Sequence, residues 1–468
     1  MKRSTLTVFA LACGLAAALP AQAQPVDVPP TWGGDFSSRP RATGSWGGLR
    51  DELGKKGVVL DVDMFGTPQG VTSGGRDTGW EFWGTGEYTL NVDTQKMGLW
   101  PGGFLNVQGL STFGQSVNNG SGAIVPVNTA TLLPKPNGPG NALMNLTFMQ
   151  FLSTKFGLIA GKINTLSTDA NDFAHDYRSD FMNTALNFNM AEALFPFSAY
   201  GGGIIVLPWD GAQITAVVVD PSGTPDNNDI SKAFKDGVLV SSEGRMAVKP
   251  FGLAGHQFLG FGWSDKDRLS LQQDPSNLAR LALDERFTRL ADPGPLLKRI
   301  IERFFPALLT PAQSPNHTDN TWALYYNFDQ YLWQPGSDPA RGIGVFFRFG
   351  ISDGVANPVK YAYNVGISGN GVVPGRPLDK FGIGWARTEF SNNFVPFLRQ
   401  QLNLGLNKED AVEMYYNAAL TNWLNASLDL QVINPALNKQ LQPGAGTLPA
   451  LVNVDTAVVM GFRLYTRF

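Results

Sequence analysis

Apolar and polar residues alternate with a period of two over most of the chain. The clearest example is the C-terminal stretch, where apolar side chains at Val458, Met460, Phe462 and Leu464 alternate with a second set that includes Gly461, Arg463, Tyr465 and Arg467. A period of two places the two sets on opposite faces of a β-strand. The polar face of this strand carries two arginines, which suit a water-filled interior, whereas the apolar face suits lipid.

The same alternation predicts about sixteen strands, each bounded by clusters of glycine, proline, asparagine or aspartate. An even number of such strands predicts an all-β fold, a membrane-spanning antiparallel β-barrel. The predicted strands are 58–65, 80–92, 103–113, 145–153, 156–164, 200–208, 212–220, 238–249, 257–264, 321–331, 341–351, 361–368, 380–389, 413–421, 423–433 and 456–468.

The connections between these strands alternate in length. Counted back from Phe468, long segments such as 165–199 and 265–320 fall on one side, and short ones such as 154–155 fall on the other. Bacterial outer-membrane barrels have short periplasmic turns and long extracellular loops, and they resemble one another in a final strand with a terminal aromatic residue. We therefore expect both termini in the periplasm.

Composition argues against two other classes of protein. Charged residues make up 16% of the chain, below the roughly 25% of ordinary soluble domains. A helical membrane protein needs spans of about 20 apolar residues, and none occurs in the body of the chain. The net charge of −3 is too small to indicate a nucleic-acid partner.

The N-terminus predicts a signal peptide at 1–23. Lys2 and Arg3 precede an apolar run, and Ala21-Gln22-Ala23 supplies a cleavage site. A lipoprotein signal at Cys13 is a weaker alternative, because the preceding leucine is one place off the usual position. Cys13 is the sole cysteine, so cleavage leaves a chain without disulfides or thiolate metal sites. We expect a periplasmic segment with a short helix at 24–57 and the barrel at 58–468.

One stretch departs from the strand pattern. From 278 to 309 the apolar residues recur at helical spacing, and Pro293 and Pro295 divide the stretch into two helices. We expect a helical extracellular insert at about 275–310. It either packs on neighbouring loops or folds inward and narrows the channel.

Short segments along the chain resemble the carbohydrate-selective porin family (OprB-type). Gly44-Ser45-Trp46-Gly47-Gly48-Leu49-Arg50 resembles the Gly-x-Trp-Gly-Gly-x-Arg opening of that family. Two further segments in the middle and three near the C-terminus also resemble its signatures, so the resemblance covers about Gly44 to Phe468. These segments are Asn171–Ala174, Tyr200–Pro208, Glu413–Asn417, Thr421–Leu424 and Asp429–Pro435.

The resemblance implies a sixteen-stranded outer-membrane channel for passive uptake of glucose and other small sugars, without a cofactor. It also implies that outer loops, including 165–199, fold into the barrel and form a constriction with Asp172 and Arg178. Expected partners are small sugars, outer-membrane lipid and lipopolysaccharide, and the barrel-assembly machinery through Phe468. A monomer and a homotrimer both remain open.

Inward-facing side chains define the candidate solute path. A sugar needs hydrogen-bonding groups for its hydroxyls and aromatic rings for its apolar face, and the inward positions supply both. Their charges are mixed in sign, whereas a strongly ion-selective pore carries mainly one sign. No catalytic group and no metal ligand is assigned. The candidates from the alternation are Glu81, Trp83, Glu87, Glu243, Arg245, Arg348, Glu413, Tyr415, Asp429, Arg463 and Arg467.

Other functions are weighed against the sugar channel. Arg245, Arg348, Arg463 and Arg467 also suit carboxylates, so a porin for small acidic or aromatic solutes is an alternative, as is a general diffusion pore. A barrel enzyme would need a nucleophile with a base. His175-Asp176 is the one suggestive pair, and no known catalytic motif accompanies it. The alternating connection lengths argue against a soluble carbohydrate-binding protein.

Overall fold

The computed structural model describes residues 28–167, 169–274, 299, 303, 313–336, 338, 340–393, 405–442 and 450–468. The predicted signal peptide lies outside the described residues, as does nearly all of the predicted helical insert. Among the described residues, no helix is long and apolar enough to cross a membrane.

Sixteen antiparallel strands of the described chain form a closed barrel. The strands, numbered in chain order, are β1 Val58–Gly75, β2 Gly79–Asp93, β3 Gly103–Gly114, β4 Gly140–Ser153, β5 Phe156–Asn164, β6 Ser198–Val206, β7 Ala212–Val219, β8 Leu239–Val248, β9 Gly255–Ser264, β10 Arg268–Leu269, β11 His317–Thr318, β12 Thr321–Trp333, β13 Gly342–Ser352, β14 Val359–Asn370, β15 Lys380–Phe390, β16 Lys408–Ala419, β17 Leu424–Asn434, β18 Lys439–Gln442, β19 Ala450–Asn453 and β20 Asp455–Arg467. The order in the barrel is β1 to β9, β12 to β17 and β20, with β20 paired to β1. Two small sheets, β10 with β11 and β18 with β19, lie outside the barrel.

The predicted barrel and its sixteen strands are confirmed. The alternation in β20 also has the predicted sense, because Met460, Phe462 and Leu464 are 46%, 39% and 41% exposed on the outer face while Arg463 is buried inside. An apolar outer face is what a barrel in lipid requires.

The first strand is longer than predicted, because it continues to Gly75 instead of ending near residue 65. Glycines and Pro68 suggested a turn there. In the structure, a side chain at Gly70 would meet the ring of Trp80 at 2.4 Å, so this glycine allows close packing of a neighbouring side chain. The pairing with β20 has no partner at Pro68, which suits a residue without an N–H group.

The barrel has two different ends. The end that holds Phe468 and the N-terminal segment described from residue 28, here called the terminal end, has the connections predicted to be short. Most connections at the opposite end, here called the loop end, are long, but 76–78 and 353–358 are short. The predicted alternation of connection lengths therefore holds for most of the barrel, and 76–78 is short because β1 continues to Gly75.

The N-terminal segment is tied to the terminal end. Its predicted helix is present as α1, Leu49–Lys55. Arg50 is buried and donates to Leu60 O at 2.8 Å, Asp61 Oδ1 at 2.9 Å and Phe468 O at 3.1 Å. One arginine thus joins the segment to the first strand and to the C-terminus.

Two connections fold into the barrel: loop 115–139, between β3 and β4, and loop 165–197, between β5 and β6. Both carry short helical turns instead of long regular elements. The short helices of the described chain, besides α1, are Trp46–Gly48, α2 Asn118–Ser121, Thr129–Leu132, Thr165–Ser167, α3 Thr184–Asn187, Met190–Glu192, Ile230–Lys232 and Pro250–Gly252.

Candidate functional site

Loop 165–197 packs against the inner wall of the barrel through an apolar cluster. Phe181 lies edge-on to Phe346 and Tyr415, with ring centroids 5.4 and 4.8 Å apart. The wall makes room for the loop with inward-facing glycines, since a side chain at Gly384 would come within 2.8 Å of Leu186. Small residues on the wall therefore allow the loop to approach it closely.

Arg348 on β13 is the most extensively bonded anchor of loop 165–197. Its Nε donates to Asp169 Oδ2 at 2.8 Å, Nη1 donates to Leu186 O at 2.8 Å, and Nη2 donates to Asp169 O at 3.0 Å and to Ala174 O at 2.5 Å. The residue is 0% exposed. A single guanidinium thus holds three points of the loop, which its fork of fixed donors makes possible.

Two more charged residues of the wall bind the middle of the loop. The Glu413 carboxylate accepts hydrogen bonds from the backbone N–H groups of Met182 and Asn183. Arg463 Nη1 donates to Tyr177 O at 2.7 Å, and its Nη2 donates to Asp180 O at 2.8 Å. In both cases a wall charge satisfies loop backbone groups that have no partner within a regular element, as buried polar groups require.

Loop 115–139 forms hydrogen bonds with loop 165–197 on the side nearer the loop end. Thr129 N donates to Met182 O at 2.8 Å, and Thr184 N donates to Pro126 O at 3.0 Å. The Glu409 carboxylate on β16 in turn accepts from Val125 N at 2.9 Å. The two loops therefore form one layer of polypeptide inside the barrel.

One side of loop 165–197 is covered neither by the barrel wall nor by loop 115–139 and is here called its uncovered side. On this side Arg178 lies among carboxylates. The Arg178 side chain is 33% exposed, and its Nη1 lies 3.4 Å from Glu87 Oε2 and 3.7 Å from Asp63 Oδ2. Its Nε donates to Asp176 Oδ1 at 2.7 Å. Arg467 stands opposite Asp63 in the pairing of β1 with β20. This part of the lumen therefore carries both signs of charge.

A second group lies where the loop meets β9 and β12. His256 Nδ1 is 2.8 Å from Asp329 Oδ1 and 3.8 Å from Asp172 Oδ2. Asp172 N also donates to Asp329 Oδ2 at 3.2 Å, which sets the position of the loop at this point. The Asp172 side chain is 34% exposed and that of His256 18%, so both remain accessible from the lumen.

Burial shifts the pKa values of two loop residues in opposite senses. Burial raises the pKa of Asp169 to about 6, although the nearby Arg348 lowers it. Burial and, to a lesser degree, Arg348 lower the pKa of His175 to about 4. Desolvation disfavours the charged form of either residue type, so an acid becomes weaker and a base is kept neutral.

Seven of the predicted site residues are buried beneath the two loops or their neighbours. These residues are Trp83 and Glu87, each 2% exposed, Arg348 and Glu413, each 0%, Tyr415 at 3%, Asp429 at 5% and Arg463 at 1%.

The remaining predicted residues lie in different places. Asp172 and Arg178 are on the uncovered side of the loop, as described above. Glu243 accepts from Asp169 N at 2.7 Å, and Arg245 lies 5.1 Å over the ring of Phe258. Glu81 is exposed near the loop end, beside Arg76 and Asp77 and away from the Arg178 group.

Several residues of the site were not predicted from the sequence. Asp63 and Asp329 stand on inward positions of their strands, and that alternation is the signal that would have found them. Asp169 and Asp176 lie in the loop, where no period exists. His256 lies one residue before the predicted strand 257–264, so the alternation did not include it.

Comparison with known proteins assigns the family. The model of the carbohydrate-selective porin, OprB family, matches residues 84–468. Porin B of Pseudomonas aeruginosa is 27% identical over 153 residues, which are 30% of this chain and 31% of Porin B. The aligned part of the chain thus spans about a third of that relative.

Solved structures agree in fold. The high-pH structure of Pseudomonas putida OprB has a TM-score of 0.74 at 19% identity, covering 93% of this chain and 100% of that one. The low-pH structure has a TM-score of 0.55 at 15% identity, covering 92% and 99%. At these identities the likeness shows the fold alone.

Proposed function

This chain belongs to the carbohydrate-selective porin, OprB family, and from that premise we propose that glucose and other small sugars diffuse through it past loop 165–197. Membership of this porin family supports a channel in the outer membrane of a Gram-negative bacterium, rather than an enzyme. Transport through such a channel runs down a concentration gradient and needs no chemical step.

The observation that carries the proposal is the mixed charge on the uncovered side of loop 165–197. Arg178 stands beside Asp63 and Asp176, and Asp172 stands beside His256. Hydroxyl groups both donate and accept hydrogen bonds, so a neutral polyol finds partners in either group. A path that carries one sign of charge would instead favour ions of the opposite sign.

The burial of two arginines supports sugars over acidic solutes. The acid alternative depended on four inward arginines, but Arg348 and Arg463 are 0% and 1% exposed and bind the loop. Arg178 is surrounded by acids. The positive charge available to a carboxylate solute is therefore smaller than the sequence suggests.

Liposome swelling tests the proposed function. Purified protein is reconstituted, and swelling rates are compared at matched osmolarity for glucose, a disaccharide, arginine and gluconate. We expect fast glucose uptake with slow arginine and gluconate uptake. Faster gluconate uptake would favour the acid alternative, equal rates would leave a general diffusion pore, and no swelling would contradict an open channel.

Location and partners extend the proposal. We place both termini in the periplasm and the loop end outside the cell, with 1–23 as a cleaved signal peptide and 24–57 as a periplasmic segment. The apolar outer face contacts outer-membrane lipid and lipopolysaccharide, and Phe468 is recognised by the barrel-assembly machinery. The oligomeric state is either a monomer or a homotrimer.

A further inference from the structure

We propose that Asp172, His256 and Asp329 bind a divalent transition-metal ion such as Zn²⁺, and that the bound ion slows the passage of sugars. The three side chains come from loop 165–197, β9 and β12. One donor atom from each lies within 4.8 Å of the other two. The effect on sugar passage depends on the proposed function, whereas the binding of the ion does not.

The donor set suits zinc in type and spacing. Zinc takes imidazole nitrogen and carboxylate oxygen at about 2.0–2.2 Å, and in catalytic sites it takes three protein ligands and one solvent molecule. The separations from His256 Nδ1 to Asp329 and Asp172 are 2.8 and 3.8 Å, and they bracket the roughly 3.4 Å between ligands of a tetrahedral ion.

The charges in this group call for a cation. Asp329 is 0% exposed and faces the carboxylate of Asp172. Among the described residues, His256 is the one basic side chain within ion-pair distance of either acid. Two carboxylates held this close repel each other, and a divalent ion between them removes that repulsion.

The surroundings leave the site open to the lumen and limit its affinity. Asp172 and His256 are partly exposed, so a fourth position faces the channel and can hold water or a sugar hydroxyl. Arg245 and Lys380 act electrostatically on Asp172 from a greater distance. Their positive charge opposes the ion, and so we expect reversible binding.

Zinc and magnesium differ in what they require. Magnesium prefers oxygen ligands in octahedral geometry and keeps most of its water, whereas imidazole suits zinc.

The chain has only three histidines. Of these, His175 is a buried loop residue, and His317 lies at the exposed β10–β11 sheet, 3.0 Å from Asp267. His317 therefore supplies a matched control, because it is also a histidine beside an aspartate.

The experiment measures zinc binding and sugar flux separately. Protein purified without a polyhistidine tag is titrated with ZnCl₂ or MgCl₂ by calorimetry in detergent, and glucose swelling is then measured with each salt. The variants are His256→Gln, which keeps a donor toward Asp329, Asp172→Asn, and the control His317→Gln. Migration of unboiled samples on a gel checks that each barrel is folded.

We expect wild type and H317Q to bind one zinc ion at this site. In H256Q and D172N the zinc affinity should be lower than in wild type by about 10-fold or more, because loss of a residue that merely hydrogen-bonds a metal ligand already costs that much. Zinc, but not magnesium, should slow swelling in wild type and H317Q. Zinc affinity unchanged in H256Q and D172N, or equal effects of the two metals, would overturn the proposal. Absent swelling without any metal would instead count against the proposed function, while the titration would still test the site.

Discussion

Replacing Arg348 with methionine should release loop 165–197 from the wall while leaving the barrel intact. Methionine keeps much of the length of the side chain but removes every hydrogen bond to Asp169, Ala174 and Leu186. The backbone pairing of β13 with its neighbours does not depend on this side chain. The change therefore acts on the docking of the loop and leaves the strand ladder unchanged.

The magnitude follows from the burial of the ion pair. Arg348 and Asp169 have side chains that are 1% and 2% exposed, and removing one partner of a buried pair costs about 3–5 kcal/mol. At 1.36 kcal/mol per factor of ten, docking becomes roughly 10²- to 10⁴-fold less favourable. Asp169 limits this cost by taking up a proton, because its pKa is already raised to about 6 by burial and would rise further without Arg348.

Hydrogen exchange followed by mass spectrometry measures the effect. Phe173 N and Ala174 N donate to Asn171 Oδ1, and Leu186 N donates to Asn183 O. These bonds are kept while the loop is docked. We expect faster exchange of peptides covering 169–187 in R348M, with unchanged exchange in the strands, and faster swelling with a disaccharide.

Two further variants separate docking from charge. Arg245→Met also removes an inward arginine, one that has no ion pair within the described part of the chain and lies over Phe258, so loop exchange should stay at the wild-type rate. Adding Asp169→Asn to R348M removes the uncompensated charge and should restore part of the protection. Wild-type exchange of 169–187 in a correctly folded R348M barrel would refute the anchoring role.

Two other predictions concern Arg178 and His175. Arg178→Gln leaves Asp63, Glu87 and Asp176 without their shared cation. The permeability ratio of cations to anions, measured from reversal potentials, should therefore rise roughly threefold. An unchanged ratio would place Arg178 outside the solute path. Burial lowers the pKa of His175 from 6.5 to about 4. The neutral form of His175 therefore stabilises the docked loop fully above pH 6.5, and this stabilisation is lost as the pH falls toward 4. The loss amounts to about 3 kcal/mol at most. The raised pKa of Asp169 has the opposite effect on the pH dependence of loop docking, so wild type must be compared with H175Q. The measurement is the single-channel conductance of both proteins from pH 7 to 4.5. Identical pH profiles would contradict the role of His175.

The strands could be predicted from the sequence because their signal is local. In β17, Leu424–Asn434, and β20, Asp455–Arg467, a period of two lies in consecutive residues, and the predicted limits agree within a residue or two. The predicted limit of the first strand, residue 65, was wrong, because β1 continues to Gly75. Gly70 lies within this strand and allows Trp80 on the neighbouring strand to pack closely, a role that the sequence alone does not reveal.

The site divides in the same way. Alternation alone established that Arg348, Glu413 and Arg463 point inward and that the outer face is apolar, because side-chain direction in a strand depends only on position. Whether an inward charge meets solute or a folded loop depends on contacts between distant residues, such as Glu413 with Met182 and Arg348 with Asp169. Loop 165–197 has no period, and its polar backbone groups find partners only on the assembled wall. The burial of the anchors and the meeting of Asp172, His256 and Asp329 were therefore decided by the closed barrel.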